Sequence, residues 1–165
     1  MNLNIRILQL KDITKNYIEW YSDKEVTKFS DNQYKNFSLD GQYQYIATCL
    51  ESSTLDLYGI FDDKFHVGNI EISNIDSTHK RAEIAYVVGE KKYWGKGIGA
   101  FAISKIIELA ITKYNLNKLI AGLAEGNKGS QRVLEKNGFI LEGCQKNYFF
   151  YNGIYYNRLL YGLIL

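Results

Sequence analysis

Three glycines at alternate positions, Gly95, Gly97 and Gly99, sit in the segment Tyr93-Trp94-Gly95-Lys96-Gly97-Ile98-Gly99-Ala100. An apolar run, Ile84 to Val88, precedes them, and an amphipathic helical pattern follows. Glycine lets a main chain approach a ligand with no side chain in the way. A helix start aims unpaired N–H groups and a partial positive charge at the same spot. Strand, glycine loop and helix in that order predict an anion cradle, most often one for a pyrophosphate.

The rest of the chain is consistent with one mixed α/β domain over residues 1–165. Residues 3–8 read as a first strand, and residues 12–22 as a helix with Asp12 as N-cap. Residues 39–51 predict a second helix starting near Ser38 or Asp40. Residues 55–61 and 67–72 predict a hairpin turning at Asp62-Asp63-Lys64. Residues 82–88 alternate at period two with apolar groups on both faces, which predicts a central strand. Beyond Ile98 the period becomes 3.6, placing Ile103, Ile106, Ile107, Ala110, Ile111 and Tyr114 on one face. Residues 119–124 read as a buried strand. A short helix over 128–136 follows, with Asn127 as N-cap and Asn137-Gly138 as its stop. Strands around 146–151 and 154–163 close the chain, joined by the turn signal Asn152-Gly153.

Composition narrows the function. A net charge of +2, with bases scattered among acids, argues against a nucleic-acid surface. The two cysteines, Cys49 and Cys144, build no disulfide framework and fit a reducing compartment. The N-terminus lacks a signal-peptide core, and no run approaches the ~20 apolar residues of a membrane span. The expectation is a cytoplasmic protein without membrane or nucleic-acid partners, and a homodimer is left open. Metal-ligand spacing is absent. Cys49 reads as a core residue, and His66 and His79 as bystanders at strand ends.

Three ligands compete for the glycine loop. A mononucleotide P-loop needs Ser or Thr after its lysine, but Gly97 follows Lys96. A dinucleotide fingerprint is met loosely by Gly95, Gly97 and Ala100, with Glu125 as the ribose acid. That motif, however, follows the first strand of a repeated βα pattern, whereas here several strands come first. Coenzyme A is the third candidate. Its acetyltransferase signature has Gln or Arg, then two small positions three and five residues on. Gly97 and Gly99 fill those positions, and Trp94 stands where Gln or Arg is usual.

Four segments then resemble the GNAT N-acetyltransferase superfamily, in its RimJ/RimL-like branch, in matching order and spacing. They are Ala82-Glu83-Ile84-Ala85-Tyr86, Tyr93-Trp94-Gly95-Lys96-Gly97, Asn127-Lys128-Gly129-Ser130, and residues 135–143 from Glu135 to Gly143. Trp20 to Val26 resembles the branch's first helix and turn more loosely. The resemblance implies a central, mostly antiparallel sheet of about seven strands. It would splay between two parallel central strands and carry helices on both faces.

It also implies acetyl-CoA as co-substrate. The pantetheine arm would pair with backbone groups of Tyr86, Val87 and Val88 and with Asn127. The pyrophosphate would lie on the N–H groups from Gly95 through Ile98 and Gly99 to Ala100, with Lys92 or Lys96 adding charge. Acetyl transfer needs a neutral amine, and therefore a base. The resemblance nominates Glu90, with Glu83 as competitor. Leu134 stands where many members carry the tyrosine acid. Ser130 is the alternative acid, or simply a helix-start hydroxyl. The acceptor would be an amino-sugar nucleotide, another small amine or a protein N-terminus. Asp12, Glu19, Asp23 and Glu25 offer acids to it; Trp20, Tyr21, Tyr34, Tyr43 and Tyr45 offer stacking surfaces. A non-catalytic CoA-binding module is the other reading of the same cradle.

Overall fold

The computed structural model describes residues 1–165. Its elements in chain order are β1 (Leu3–Ile7), α1 (Lys15–Ser22), α2 (Leu39–Glu51), β2 (Asp56–Asp62), β3 (Phe65–Asp76), β4 (Arg81–Val88), α3 (Ile98–Thr112), β5 (Lys118–Ala124), α4 (Lys128–Lys136), β6 (Ile140–Tyr151) and β7 (Ile154–Ile164). Short 3-10 turns occur at Leu10–Asp12, Asp31–Tyr34 and Lys91–Tyr93. The strands form one seven-stranded sheet, in the order β1-β2-β3-β4-β5-β7-β6.

Every neighbouring pair is antiparallel except β4 and β5, which run parallel. Only Arg81, Ala82 and Glu83 pair with Lys118, Leu119 and Ile120; beyond them the two strands diverge. The second half of β4 keeps its partner β3, up to Gly68 opposite Val88, but its other edge is open. The expected splay is present, and it opens toward the C-terminal ends of both strands.

Each face of the sheet carries its own core. The larger core holds Ile60, Ile70, Ile72 and Ile84 with Ile98, Ile103, Ile106 and Ala110 of α3 and Leu134 of α4. The smaller one holds Leu57 and Phe61 with Tyr17 and Trp20 of α1 and Ile46 and Cys49 of α2. Each fully buried aliphatic chain contributes about 1.5–3 kcal/mol over exposure. Strand alternation decides the face: Gly68, Ile70 and Ile72 go to α3, while Asn69, Glu71 and Ser73 go to the α1 and α2 side.

Several boundaries differ from expectation. Asp12 does not cap α1; it is bound by Arg6 at 2.6 Å, and Thr14 accepts from Tyr17 N–H instead. Strand β6 begins at Ile140 rather than near 146, because bulges after Leu141 and Gln145 break the alternation a sequence reader needs. Ile111 is exposed because it lies at the side of the buried face, next to Ala110, which stays in the core. Tyr114 lies past the helix, where its hydroxyl meets Asp56. His66, at the start of β3, is buried, stacks on Phe61 and meets the edge of Trp20, which gives it a packing role outside the cleft. The ends of α2 and α4 fall as predicted, with Ser38 and Asn127 accepting from Gly41 and Ser130 N–H. Asn152 and Gly153 both take positive φ in the last hairpin turn, and Cys49 is in the core.

Candidate functional site

A cleft of about 1300 Å³ opens where β4 and β5 part. One wall comes from residues 93–100, β4 and α4; the other comes from α1, the α1–α2 connection, α2 and β3.

The first wall is mainly backbone. Gly95 and Gly97 have φ of +73° and +83°, and a Cβ built on either meets nothing within 4 Å. Their need for glycine is therefore conformational, and the space before them is open. Gly97 caps α3 with its carbonyl accepting from Phe101 N–H at 2.9 Å. The N–H groups of Gly95, Gly97, Ile98, Gly99 and Ala100 have no acceptor in the protein. They lie at the positive end of a 15-residue helix, a setting that favours an anion. Ile98 anchors the turn in the core. Gly99 has a packing reason: a Cβ there would lie 2.8 Å from the Tyr86 ring.

The two lysines expected to add charge do not reach the cleft. Lys92 Nζ lies over the Phe65 ring at 4.3 Å and 3.6 Å from Glu90. Lys96 Nζ is directed toward Tyr93, 5.8 Å from its ring centroid. The cations on this wall are Arg132 and Lys136 of α4. Sequence reading missed them, though their spacing of four from Lys128 on a helix after Asn127 was available as a signal.

The open edge of β4 presents Ala85, Tyr86, Val87 and Val88 to the cleft. Trp94 spans its end, with Nε1 donating to the Val88 carbonyl at 2.7 Å. One of the three residues expected to pair with a pantetheine arm thus has its carbonyl already engaged. Across the gap, Asn127 Oδ1 accepts from Ser130 N–H at 3.2 Å, leaving its amide NH₂ free. The Tyr86 hydroxyl donates to Ser130 Oγ at 3.3 Å, so Ser130's own proton points elsewhere. Leu134 is buried in the core beneath them.

The candidate bases fare differently. Glu90 follows β4 but turns to α1, away from the cleft lining. Its carboxylate accepts from Asn16 Nδ2 and, at 3.0 Å, from Trp20 Nε1. Burial works to raise its pKa, but these hydrogen bonds and Lys92 outweigh burial and hold it below the usual carboxylate range. A carboxylate held so firmly in its charged form is a weak proton acceptor. Glu83 is half exposed, 4.0 Å from Arg158, and also outside the cleft.

Glu71, which sequence reading passed over, does line the cleft. It stands on β3 opposite Ala85, and burial pushes its carboxyl above the usual range. The available signal was an acid at an inward position of an otherwise apolar strand. Around it, Tyr21 stacks on Phe37 at 4.5 Å, and Asn69 Nδ2 donates to the Tyr21 hydroxyl at 3.3 Å. Of the acids and aromatics expected to meet an acceptor, Tyr21, Tyr45 and Glu25 line the cleft. Trp20 is buried, and Asp12, Glu19 and Asp23 pair with Arg6, Lys15 and Lys91. Tyr34 donates to the Phe150 carbonyl, and Tyr43 faces solvent.

Known proteins resemble this chain in sequence and in fold. YdaF of Bacillus subtilis, named as a putative ribosomal N-acetyltransferase, is 33% identical over 106 residues, 64% of this chain and 57% of the relative. The ribosomal-protein-serine acetyltransferase of Escherichia coli is 32% identical over 109 residues, 66% of this chain and 60% of that protein. The matched region thus spans little more than half of either relative. The crystal structure of spermidine N-acetyltransferase from Vibrio cholerae, solved with CoA and spermine, superposes with a TM-score of 0.87 at 20% identity. It covers 99% of this chain and 95% of that one, which shows the shared fold. The family model of the acetyltransferase (GNAT) domain matches residues 2–140. With the sheet splayed at β4 and β5 and the glycine turn capping α3, the chain belongs to the GNAT acetyltransferase family.

Proposed function

We propose that this protein is an acetyl-CoA-dependent N-acetyltransferase that acts on a primary amine in a ternary complex. The observation that carries the reading is the row of five unpaired N–H groups at the start of α3, beside the open edge of β4. A diphosphate satisfies those donors, and Arg132 and Lys136 add charge from α4. An extended arm bearing amides has an open strand edge in β4 and a free amide NH₂ in Asn127. The bound thioester supplies the activated acetyl group. The protein's own residues orient it, exclude water and handle protons.

A backbone N–H near Val87 or Val88 stabilises the developing oxyanion. Ser130, whose oxygen is held by the Tyr86 hydroxyl, is the proton source for the departing sulfur. A thiolate with an ordinary pKa near ~8.5 needs only modest help. The acceptor is a small amine or a peptide amine, and the reaction belongs in the cytoplasm, where the donor is made and free cysteines stay reduced. A module that only senses CoA would use the same wall.

Thiol release from acetyl-CoA separates the two. The panel is an acidic serine-initiated peptide amide, glucosamine 6-phosphate, glucosamine and spermidine. Amine-dependent release of CoA supports the enzyme. Tight acetyl-CoA binding in calorimetry with no release over the panel supports the sensor.

A further inference from the structure

Glu71 is a carboxylate in the cleft with no cation beside it. No lysine, arginine or histidine lies within salt-bridge distance, and only hydroxyls donate to it: Ser73 Oγ at a long 3.4 Å, and Tyr45. The ionisable groups acting on it from neighbouring elements are Tyr21 on α1, Tyr45 and Cys49 on α2, and Glu83 on β4. None of them supplies a positive charge. A half-buried carboxylate left in this state is poorly compensated, unless a ligand brings the cation. It sits beside Ala85, one residue before the Tyr86–Val88 edge, within the wall formed by Tyr21, Phe37 and Tyr45.

The other charges of the cleft point the same way. Glu25 is taken by Lys91 at 2.7 Å. Lys28, Lys35, Arg132 and Lys136 line the cleft without an acid partner, against Glu71 and the exposed Asp31. With Arg132 and Lys136 turned to the diphosphate, a ligand carrying several ammonium groups would find one half-buried acid, Glu71, and beyond it Lys28 and Lys35 beside the exposed Asp31.

Resting on the acetyltransferase reading above, we infer that Glu71 receives the acceptor's ammonium group and takes its proton, and that the acceptor carries a single ammonium rather than a polyamine's several. The carboxylate accepts one proton, leaving a neutral amine. The amine nitrogen bonds to the acetyl carbonyl carbon, the carbon–sulfur bond breaks, and the sulfur leaves with its electron pair and is protonated. Ser130 gives the sulfur its proton, and the nitrogen's surplus proton restores that hydroxyl through solvent. Glu71 returns to its charged form when its own proton does the same. The aromatic wall suits an apolar or sugar stem. The lysines at Lys28 and Lys35 suit an anionic group farther along, whether a sugar phosphate or the acidic side chains of a peptide.

The test uses Glu71→Gln and Glu71→Asp with the acceptor panel above. With the best acceptor, E71Q should lose roughly a hundredfold or more in kcat/KM. Its acetyl-CoA affinity in calorimetry should stay within about twofold, and the acidic limb of its pH–rate profile should flatten. E71D, which keeps the carboxylate, should recover part of the rate and the acidic limb. Rates for glucosamine 6-phosphate or an acidic serine-initiated peptide should exceed those for spermidine, and which of the two leads identifies the source of the anion. An E71Q enzyme within threefold of wild type at every pH, or spermidine as the best acceptor, overturns the inference.

If no amine is turned over although acetyl-CoA binds, the enzyme reading fails, and Glu71 is judged separately. Its carboxyl ¹³C resonance is then titrated with and without propylammonium. A titration moved by propylammonium keeps the ammonium site; one left unmoved removes it.

Discussion

The glycine-turn wall of the cleft is made of five N–H groups within six consecutive residues, whereas the wall facing it is made of side chains from four separate elements. The first depends on φ angles at Gly95 and Gly97 and on the start of one helix. The second depends on where α1 and α2 settle over β3 and β4. A backbone wall tolerates many side-chain changes and fails when its turn fails. A side-chain wall is retuned residue by residue.

The hardest test of the backbone wall is Gly97→Glu. It forces a side chain onto φ of +83° and puts a negative charge against five unpaired donors. Acetyl-CoA affinity should drop by more than about a hundredfold in calorimetry, beyond roughly 2.7 kcal/mol. Retained affinity would mean the diphosphate lies elsewhere.

Glu90→Gln tests whether the base belongs to the other wall. Its carboxylate holds α1 through Asn16 and Trp20, so the variant should lose roughly 1–3 kcal/mol of stability at neutral pH. Because the folded pKa is lowered, this contribution is present above the ordinary glutamate range near ~4.3 and disappears as pH falls through the folded value. Wild type and variant should therefore converge in melting temperature toward pH 3. A lost acidic limb in the pH–rate profile of E90Q, at unchanged stability, would return Glu90 to the role of base.

Ser130→Ala should lower kcat by about tenfold, or ~1.4 kcal/mol, with acetyl-CoA affinity nearly unchanged. The deficit should shrink as pH rises toward the thiol's own range, where the leaving sulfur needs no proton. A loss confined to affinity would make Ser130 part of the cradle instead.

The smallest effect is on stability at Glu71. Its folded pKa is raised, so the stability it contributes is present below the ordinary value and is lost as pH rises through the folded one. Glu71→Gln should melt slightly higher than wild type at pH 7–8 and no higher below about pH 4. A lower melting point at neutral pH would indicate a partner for Glu71 inside the protein.

Much of the fold could be read from periodicity. The order of strands, the turn signals Asp62-Asp63-Lys64 and Asn152-Gly153, and the caps Ser38 and Asn127 are local patterns with local causes. Reading failed where long-range contacts override them. Bulges hid the first half of β6, and Arg6 drew Asp12 away from the helix it was expected to cap. Lys92 and Lys96 are close to the glycines in sequence, yet Lys92 turns to Phe65 and Glu90 and Lys96 is exposed outside the cleft lining.

The cradle is a property of the sequence, because unpaired N–H groups and left-handed glycines arise within a dozen consecutive residues. The choice among Glu71, Glu83 and Glu90 is a property of the fold. All three are glutamates in or next to extended segments, alike in isolation. Trp20 and Asn16 close over Glu90, Arg158 stands beside Glu83, and Glu71 receives hydroxyls and aromatic rings but no cation. A carboxylate's chemistry is set by the charges and water around it, and those are supplied by residues far away in the chain.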